Sequence, residues 1–394
     1  MTGKMPTICL VAGEESGDQL GSELMKALNE RLGVGVRYCG VGGERMMSLG
    51  LKSFFDMSDV SVMGLTAVLA RLPLIIKRVY QTVDAVVAAN PDILVIVDSP
   101  DFTHNVAKRV RKRAPHIPIV GYVSPSVWAW RPGRARKMSV YVDDLLALLP
   151  FEPDVHRKLG GPRTHYVGHP LSEIASELRP SVGERTPAEA DEKILLVLPG
   201  SRRSEIDRLL GDFAKTVAIV KEKLPGLKVV LPAVAHLEDK IRQDTDHWPV
   251  PVEIVTGLDA KRAAFRKAHA ALAASGTVSL ELALSGVPMV VAYKVDWFFR
   301  RMKELNRVFK FSSVDSFVLP NIILGTKAIP EFLDEEVQPK VLANHLVELL
   351  NSGPERQKQI EHLQKLDDVM RLPDGHSQRG AAADVVLAAM KTES

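Results

Sequence analysis

Short, continuous apolar runs punctuate the chain. The first series lies at residues 8–12, 36–41, 93–97, 117–123, 145–149 and 164–167. Segments with helical spacing, such as 21–32 and 103–113, fall between them. Apolar runs without polar alternation are buried on both faces, as in a parallel sheet covered by helices. Strands alternating with helices predict βαβ units. A second series follows at 194–198, 228–231, 252–255, 271–274 and 287–292. Between the two series, residues 172–193 are polar, hold two prolines and lack a long apolar run. The expected organisation is a Rossmann-like domain over 1–172, a linker over 173–192, a second Rossmann-like domain over 193–365 and a helical tail over 366–394, free to return to the first domain. Two such halves put a ligand in a cleft faced by strand carboxyl ends.

Composition narrows the class. The chain has 394 residues, 46% hydrophobic and 25% charged, with a net charge of +3. That is too long for one ordinary domain and too apolar for a disordered chain. The charge does not point to nucleic acid. Cys9 and Cys39 lie in strand-like runs and read as free thiols, not as a disulfide framework. The start of the chain enters a strand rather than a signal-peptide cleavage region. Two stretches approach the apolar content of a membrane span. Gly64 and Pro73 interrupt 60–76, and Ser275-Gly276-Thr277 and Ser285-Gly286-Val287-Pro288 break 268–293. The architecture expected is therefore soluble, with contact at a membrane surface left open.

The average conceals an asymmetry. Residues 102–142 carry nine Lys or Arg and no Asp or Glu. This is either a solvated face or a surface for phosphate or anionic lipid. Just upstream, Val68, Leu69, Leu72, Leu74, Ile75 and Ile76 form part of an apolar segment. It reads as a core helix or, if exposed, as a contact for acyl chains.

Chemistry-bearing residues cluster where strands end. Gly13-Glu14-Glu15-Ser16-Gly17-Asp18 follows the first strand, and its glycines let the backbone approach a ligand. A tight turn with an acidic or serine cap is the plainer reading. Asp98-Ser99-Pro100-Asp101-Phe102 follows the third strand. Asp98 is placed to take a proton from a hydroxyl, whereas Asp101 suits a helix cap. Trp128 and Trp130 either pack under a neighbouring loop or floor a sugar site. In the second half, Gly200-Ser201-Arg202 can hold a diphosphate through backbone N–H groups and a guanidinium. Ser275-Gly276-Thr277 starts another helix as a phosphate nest. Glu281, alone in an apolar stretch, needs a partner such as ribose hydroxyls. These parts suit a nucleoside diphosphate.

Taken in order, several motifs resemble the lipid-A-disaccharide synthase family. They are Ala12-Gly13-Glu14-x-Ser16-Gly17-Asp18, Asp98-Ser99-Pro100-Asp101-Phe102, Ser124-Pro125-Ser126-Val127-Trp128-Ala129-Trp130, Val167-Gly168-His169-Pro170, Leu198-Pro199-Gly200-Ser201-Arg202, Ser275-Gly276-Thr277 with Glu281, and Leu319-Pro320-Asn321. The resemblance spans about residues 7 to 335. It implies an α/β GT-B fold and an inverting hexosyltransferase that needs no cofactor or metal. The implied donor is UDP-2,3-diacylglucosamine and the acceptor 2,3-diacylglucosamine 1-phosphate. The products are a β-1,6-linked disaccharide 1-phosphate and UDP, in lipid A biosynthesis of a Gram-negative bacterium. Asp98 is then the catalytic base, and Glu14, Ser16 and Asp18 line the acceptor side. Ser201, Arg202, Ser275, Gly276, Thr277, Glu281 and Asn321 hold UDP or the donor. His169 is structural or functional. The implied location is the cytoplasmic face of the inner membrane, with peripheral attachment to its anionic surface and a homodimer among the expected assemblies. Glu15 and Asp334 depart from the family pattern, where a small residue and Gln are expected. Two other readings compete: a different UDP-sugar enzyme of the same fold, and a non-catalytic nucleotide-sugar or lipid-binding protein.

Overall fold

The structure is a computed structural model that describes residues 5–33, 35–61, 65–295, 315–372 and 376–391, with the side chains of 65–69 outside the description. Two compact units emerge: Met1–His169 together with Leu372–Ser394, and Pro170–Arg371.

The first unit holds a seven-stranded sheet. Its strands are β1 (Thr7–Ala12), β2 (Arg37–Val41), β3 (Lys52–Ser53), β4 (Ile93–Val97), β5 (Ile119–Tyr122), β6 (Asp144–Ala147) and β7 (Arg163–Tyr166). They run in the order β3-β2-β1-β4-β5-β6-β7, all parallel. The second unit holds β8 (Lys193–Leu198), β9 (Leu227–Ala233), β10 (Val252–Thr256), β11 (Ala270–Ala274), β12 (Met289–Tyr293) and β13 (Glu331–Leu333). Their order is β10-β9-β8-β11-β12-β13, again parallel throughout. β1, β4 and β11 are buried along their whole length, which is why their sequences show no polar alternation. The edge strands β3 and β13 are two and three residues long. Neither is long enough to leave an apolar run, and neither is expected from sequence.

In both sheets the winding reverses beside the first strand. β1 lies between β2 and β4, and β8 lies between β9 and β11. Connections leave such a strand pair on opposite faces, so the carboxyl ends there stay open to a ligand.

Two segments differ from their expected roles. The polar stretch 173–192 lies within the second unit. Arg185 donates to the carbonyls of Phe265, Arg266, Ser285 and Gly286, and Thr186 meets His269 at 3.0 Å. Its polarity serves the backbone groups of the second unit, where a free linker would be polar to meet solvent. The tail divides in the same way. In the helix Pro354–Met370, Gln359 bonds both the N–H and the carbonyl of Met289. The helix Gln378–Lys391 instead belongs to the first unit. There Ala382, Ala383, Val386 and Ala389 are buried in one cluster with Ile8, Leu24 and Val95. Gln378 donates to the Tyr122 hydroxyl at 2.9 Å, and Arg31 makes a two-pronged pair with Asp384.

Among the described residues no helix is long and apolar enough to cross a membrane.

Deleting Leu372–Ser394 uncovers that cluster. The expected outcome is a loss of more than about 3 kcal/mol in the first unit. Hydrogen exchange should show lost protection in β1 and β4 with β8 and β11 unchanged.

Candidate active site

The first constellation sits where β1 and β4 end side by side, with Ala12 paired to Val97. Beyond β1, Gly13 and Glu14 lead into the helix Glu15–Leu32; beyond β4, Asp98 and Ser99 lead into Pro100–Arg113. The turns touch closely: a Cβ on Gly13 would lie 2.7 Å from Ser99 Oγ. Asp98 and Ser99 both adopt left-handed backbone, at φ 50° and 47°. That conformation costs a non-glycine residue about 1 kcal/mol or more. Local bonds hold it. Asp98 N–H donates to Tyr122 O at 2.9 Å, Ser99 N–H to Asp98 Oδ1 at 2.8 Å, and Thr103 Oγ1 to Asp98 O at 2.6 Å.

This geometry joins three of the expected residues. Ser16 Oγ donates to Asp98 Oδ2 at 3.0 Å, and Ser99 Oγ donates to Glu14 Oε1 at 2.9 Å. Asp18 has a different task. It is fully buried, and its carboxylate accepts from the N–H groups of Gly43, Arg45 and Met46 at 2.7, 3.0 and 3.2 Å. It fastens the turn after β2, at Gly42 and Gly43, to the turn after β1. Glu15 is exposed and pairs with Arg45 at 3.3 Å. Ser99 takes the helix-cap position, while Asp101 stands exposed in the first turn, 3.7 Å from Arg134.

A cavity of about 330 Å³ opens at Asp98, walled by His104, Ser124, Ser126, Trp130 and Arg134 among others. The two tryptophans separate here. Trp130 is 38% exposed and lines the cavity. Trp128 packs edge-on against Phe151 and donates to Glu152 Oε1 at 3.3 Å. Glu152 also accepts from Leu149 N–H at 3.0 Å, and Ser124 Oγ meets His156 Nε2 at 2.8 Å. Burial pushes the Glu152 carboxyl up to about 7 and holds His156 down to about 4. Burial likewise holds His169, the last residue before the second unit, at about 4.

The second constellation lies at the ends of β8, β9, β10 and β11. A cavity of about 640 Å³ is lined by Ser201, Arg202, Ser275, Gly276, Thr277 and Glu281, with Lys261 and Glu205 beside them. Glu205 Oε2 accepts from the N–H groups of Ser201 and Arg202 at 3.1 and 3.3 Å. Gly200 makes this possible: its φ is 119°, and a Cβ there would lie 2.4 Å from Glu205 Oε2. The Arg202 side chain is 72% exposed, and its Nη1 lies 3.4 Å from Glu205 Oε1. Ser275 Oγ donates to Phe317 O at 2.8 Å and steadies the turn before the helix Thr277–Leu284. Glu281 finds its partner in Lys261, at 2.5 Å.

Asn321 does not line this cavity. It is 2% exposed, and its side-chain amide bonds both the N–H and the carbonyl of Ile329 at 2.9 Å. Its amide serves to close a loop. Asp334 is also buried, with φ 53°, and accepts from Val295 N–H at 3.0 Å. Val68 and Leu69 lie outside the described side chains.

The model of the lipid-A-disaccharide synthetase family matches residues 8–385. The chain belongs to that family. A lipid-A-disaccharide synthase from Nitrobacter winogradskyi is 52% identical over 388 residues, covering 98% of this chain and 96% of the relative. One from Rhodopseudomonas palustris strain CGA009 is 49% identical, covering 98% and 97%. Among solved structures, a putative UDP-N-acetylglucosamine 2-epimerase from Listeria monocytogenes superposes with a TM-score of 0.61 at 14% identity, covering 98% of this chain and 96% of that one. MurG from Acinetobacter baumannii gives 0.58 at 14%, covering 97% and 99%. The fold is thus that of the GT-B glycosyltransferases, with two Rossmann-like domains. As a member of the lipid-A-disaccharide synthetase family, the chain is a glycosyltransferase of lipid A biosynthesis. The reading as a non-catalytic binding protein, and that as a different UDP-sugar enzyme, both give way.

Sequence reasoning missed Lys261 and the bracing role of Glu205. Glu205 carried a signal, since it stands three residues after Arg202 at a helix start, as in a capping box. Lys261 carried only a weak one, the turn at Gly257 after β10.

The Glu152 carboxyl makes the first constellation sensitive to pH. Its folded pKa, about 7, lies above the ordinary value of 4.5. The fold therefore holds the proton more tightly than the unfolded chain, and stability contributed by Glu152 is lost as pH rises from about 4.5 to about 7. In Glu152→Gln that loss should vanish. Urea titrations at pH 5 and pH 8 should show the variant gaining on the wild type at pH 8, on the order of 2 kcal/mol.

Proposed function

We propose that the chain transfers the diacylglucosamine of UDP-2,3-diacylglucosamine to the 6-hydroxyl of 2,3-diacylglucosamine 1-phosphate, with inversion at the anomeric carbon. The acceptor oxygen forms the new bond to C1 while the bond from C1 to the diphosphate breaks. The hydroxyl proton passes to Asp98, and UDP carries away the electron pair. The observation that carries this assignment is the Asp98 carboxylate, half-buried at the end of β4, open to a cavity and braced through Ser16. A base must lie within hydrogen-bond reach of the proton it takes, and fixed geometry favours that. Glu14 and Ser16 border the acceptor, while Asp18 shapes the turn beside them.

Negative charge grows on the departing diphosphate. Arg202, the Ser201 hydroxyl and N–H, and the N–H groups at Ser275, Gly276 and Thr277 suit it, since preorganised donors stabilise developing charge. Glu281 suits the ribose hydroxyls, and Lys261, 2.5 Å away, keeps it oriented. Asn321 supports the site indirectly through its loop.

Membrane attachment forms part of the same reading. In the helix Leu65–Ala89, Leu72, Ile76 and Tyr80 are 42, 48 and 52% exposed. Their spacing of four sets them on one helix face. Leu74 and Ile75 are half-buried, and the Arg109 guanidinium lies 5.1 Å from the Tyr80 ring. Exposed apolar side chains flanked by cations suit the anionic cytoplasmic surface of the inner membrane.

Asp98→Asn should lower turnover by at least about 1,000-fold and leave the UDP dissociation constant within about twofold, read by a UDP-release assay and by calorimetry. Near-normal turnover would remove Asp98 as the base. Leu72→Ser with Ile76→Ser should weaken sedimentation with phosphatidylglycerol vesicles by about tenfold. The melting temperature should hold, because both side chains are already exposed.

A further inference from the structure

Beside the Asp98 cavity lies a second one of about 400 Å³. Its cations are Lys108, from the helix Pro100–Arg113, and Arg131, Arg134 and Lys137, from the next loop and the helix Gly133–Met138. Asp101 is the acidic residue on its wall, 3.7 Å from Arg134 and fully exposed. Among the described residues, no carboxylate pairs with Lys108, Arg131 or Lys137. Lys108 instead lies 5.2 Å over the Tyr141 ring, and Arg131 lies 5.3 Å over Trp130. Tyr141 is held in turn by His104, 3.1 Å away.

The local field is strongly positive. Burial, followed by Arg134, Arg109 and Lys137, lowers the Lys108 ammonium from its usual value. Burial, with help from Arg134 and Lys108, holds His104 down to about 4, so the wall behind the cations is neutral. Four cations facing one solvated carboxylate call for a compact anion of high charge. A phosphomonoester carries about −1.5 to −2 at neutral pH, while a phosphodiester headgroup carries a single charge.

Position narrows the choice further. Pro100, His104 and Arg134 line both this cavity and the one at Asp98. The anomeric carbon and the carbon that bears the 6-hydroxymethyl group both flank the ring oxygen of a hexosamine, so its phosphate and its 6-hydroxyl can reach two adjoining cavities. One ring can therefore rest its phosphate among the cations and carry its 6-hydroxyl to Asp98. We propose that this basic cavity is the subsite for the acceptor's phosphomonoester, and that Lys108, Arg134 and Lys137 thereby select the phosphorylated acceptor and its reacting hydroxyl. The proposal rests on the transfer reaction above and deepens it.

The test is Lys108→Gln with Lys137→Gln, both exposed positions, assayed with 2,3-diacylglucosamine 1-phosphate and with the same sugar lacking its phosphate. The KM for the phosphorylated acceptor should rise about 10- to 100-fold. The values for the dephosphorylated acceptor and for the donor should not move. Lys137→Arg on the Lys108 background should restore part of the loss. Glucosamine 1-phosphate, titrated by NMR, should bind the wild type and be lost from the double variant. Binding to phosphatidylglycerol vesicles should change less than about twofold. Equal losses on both acceptors, no loss on either, or a loss confined to vesicle binding would overturn the subsite. Should the wild type transfer to neither acceptor, the reaction assigned above fails instead. The glucosamine 1-phosphate titration then still decides the subsite: loss of binding in the variant upholds it, and equal or absent binding in both proteins overturns it.

Discussion

A parallel sheet can open its carboxyl edge to a ligand only where the winding reverses, because elsewhere the crossing helices cover it. Everything chemical in this chain follows from that constraint. In the first unit the reversal lies between β1 and β4, and it brings Glu14 and Ser16 to Ser99 and Asp98. In the second it lies between β8 and β11, and it brings Ser201 and Arg202 to the cavity shared with Ser275 and Thr277. The same strand order thus builds an acidic cluster in one unit and, in the other, the glycine-turn cavity proposed above for a diphosphate. Only the turn residues differ.

The turns keep their shape because other polar groups are spent on backbone. Asp18 gives its carboxylate to three N–H groups of the next turn. Glu205 does the same for the loop that carries Arg202, and Asn321 for the loop reaching Ile329. Buried polar atoms without partners are costly, so these pairings are strongly favoured once the chain is folded. They leave Asp98 and Arg202, beside them, accessible to ligand. The strained backbone at Asp98 and Ser99 belongs to the same economy, since surrounding bonds hold a conformation the residues would not choose alone.

Charge and apolar surface are distributed unevenly within the first unit. Its basic residues gather around a cavity next to Asp98, and its exposed apolar side chains gather on one face of Leu65–Ala89. Arg109, next in sequence to Lys108 of that cavity, lies over the Tyr80 ring of that face. A substrate with a phosphorylated sugar head and acyl tails has the same two chemistries. The cavity of the second unit is built differently, from glycine turns, one arginine and two braced carboxylates, Glu205 and Glu281.

Much of this was legible in the chain itself. Strands buried on both faces must be apolar throughout, so the long β-strands and the parallel arrangement appear directly in the residue pattern. Glycine and acidic or hydroxyl residues at strand ends marked Asp98, Arg202 and Ser275-Gly276-Thr277, because local backbone geometry demands those residue types. The short edge strands β3 and β13 left no such pattern. Nor could sequence separate carboxylates and amides that face a cavity from those that bind backbone. Asp18 and Asn321 look like site residues, and Lys261 looks like an ordinary helix lysine. Their roles depend on which N–H groups and charges tertiary packing brings within 3 Å, and no local rule encodes a neighbour that is distant in sequence. The tail shows the same division. Its helical spacing is local, but its burial beside Ile8 and Val95 exists only because the chain returns to the first sheet.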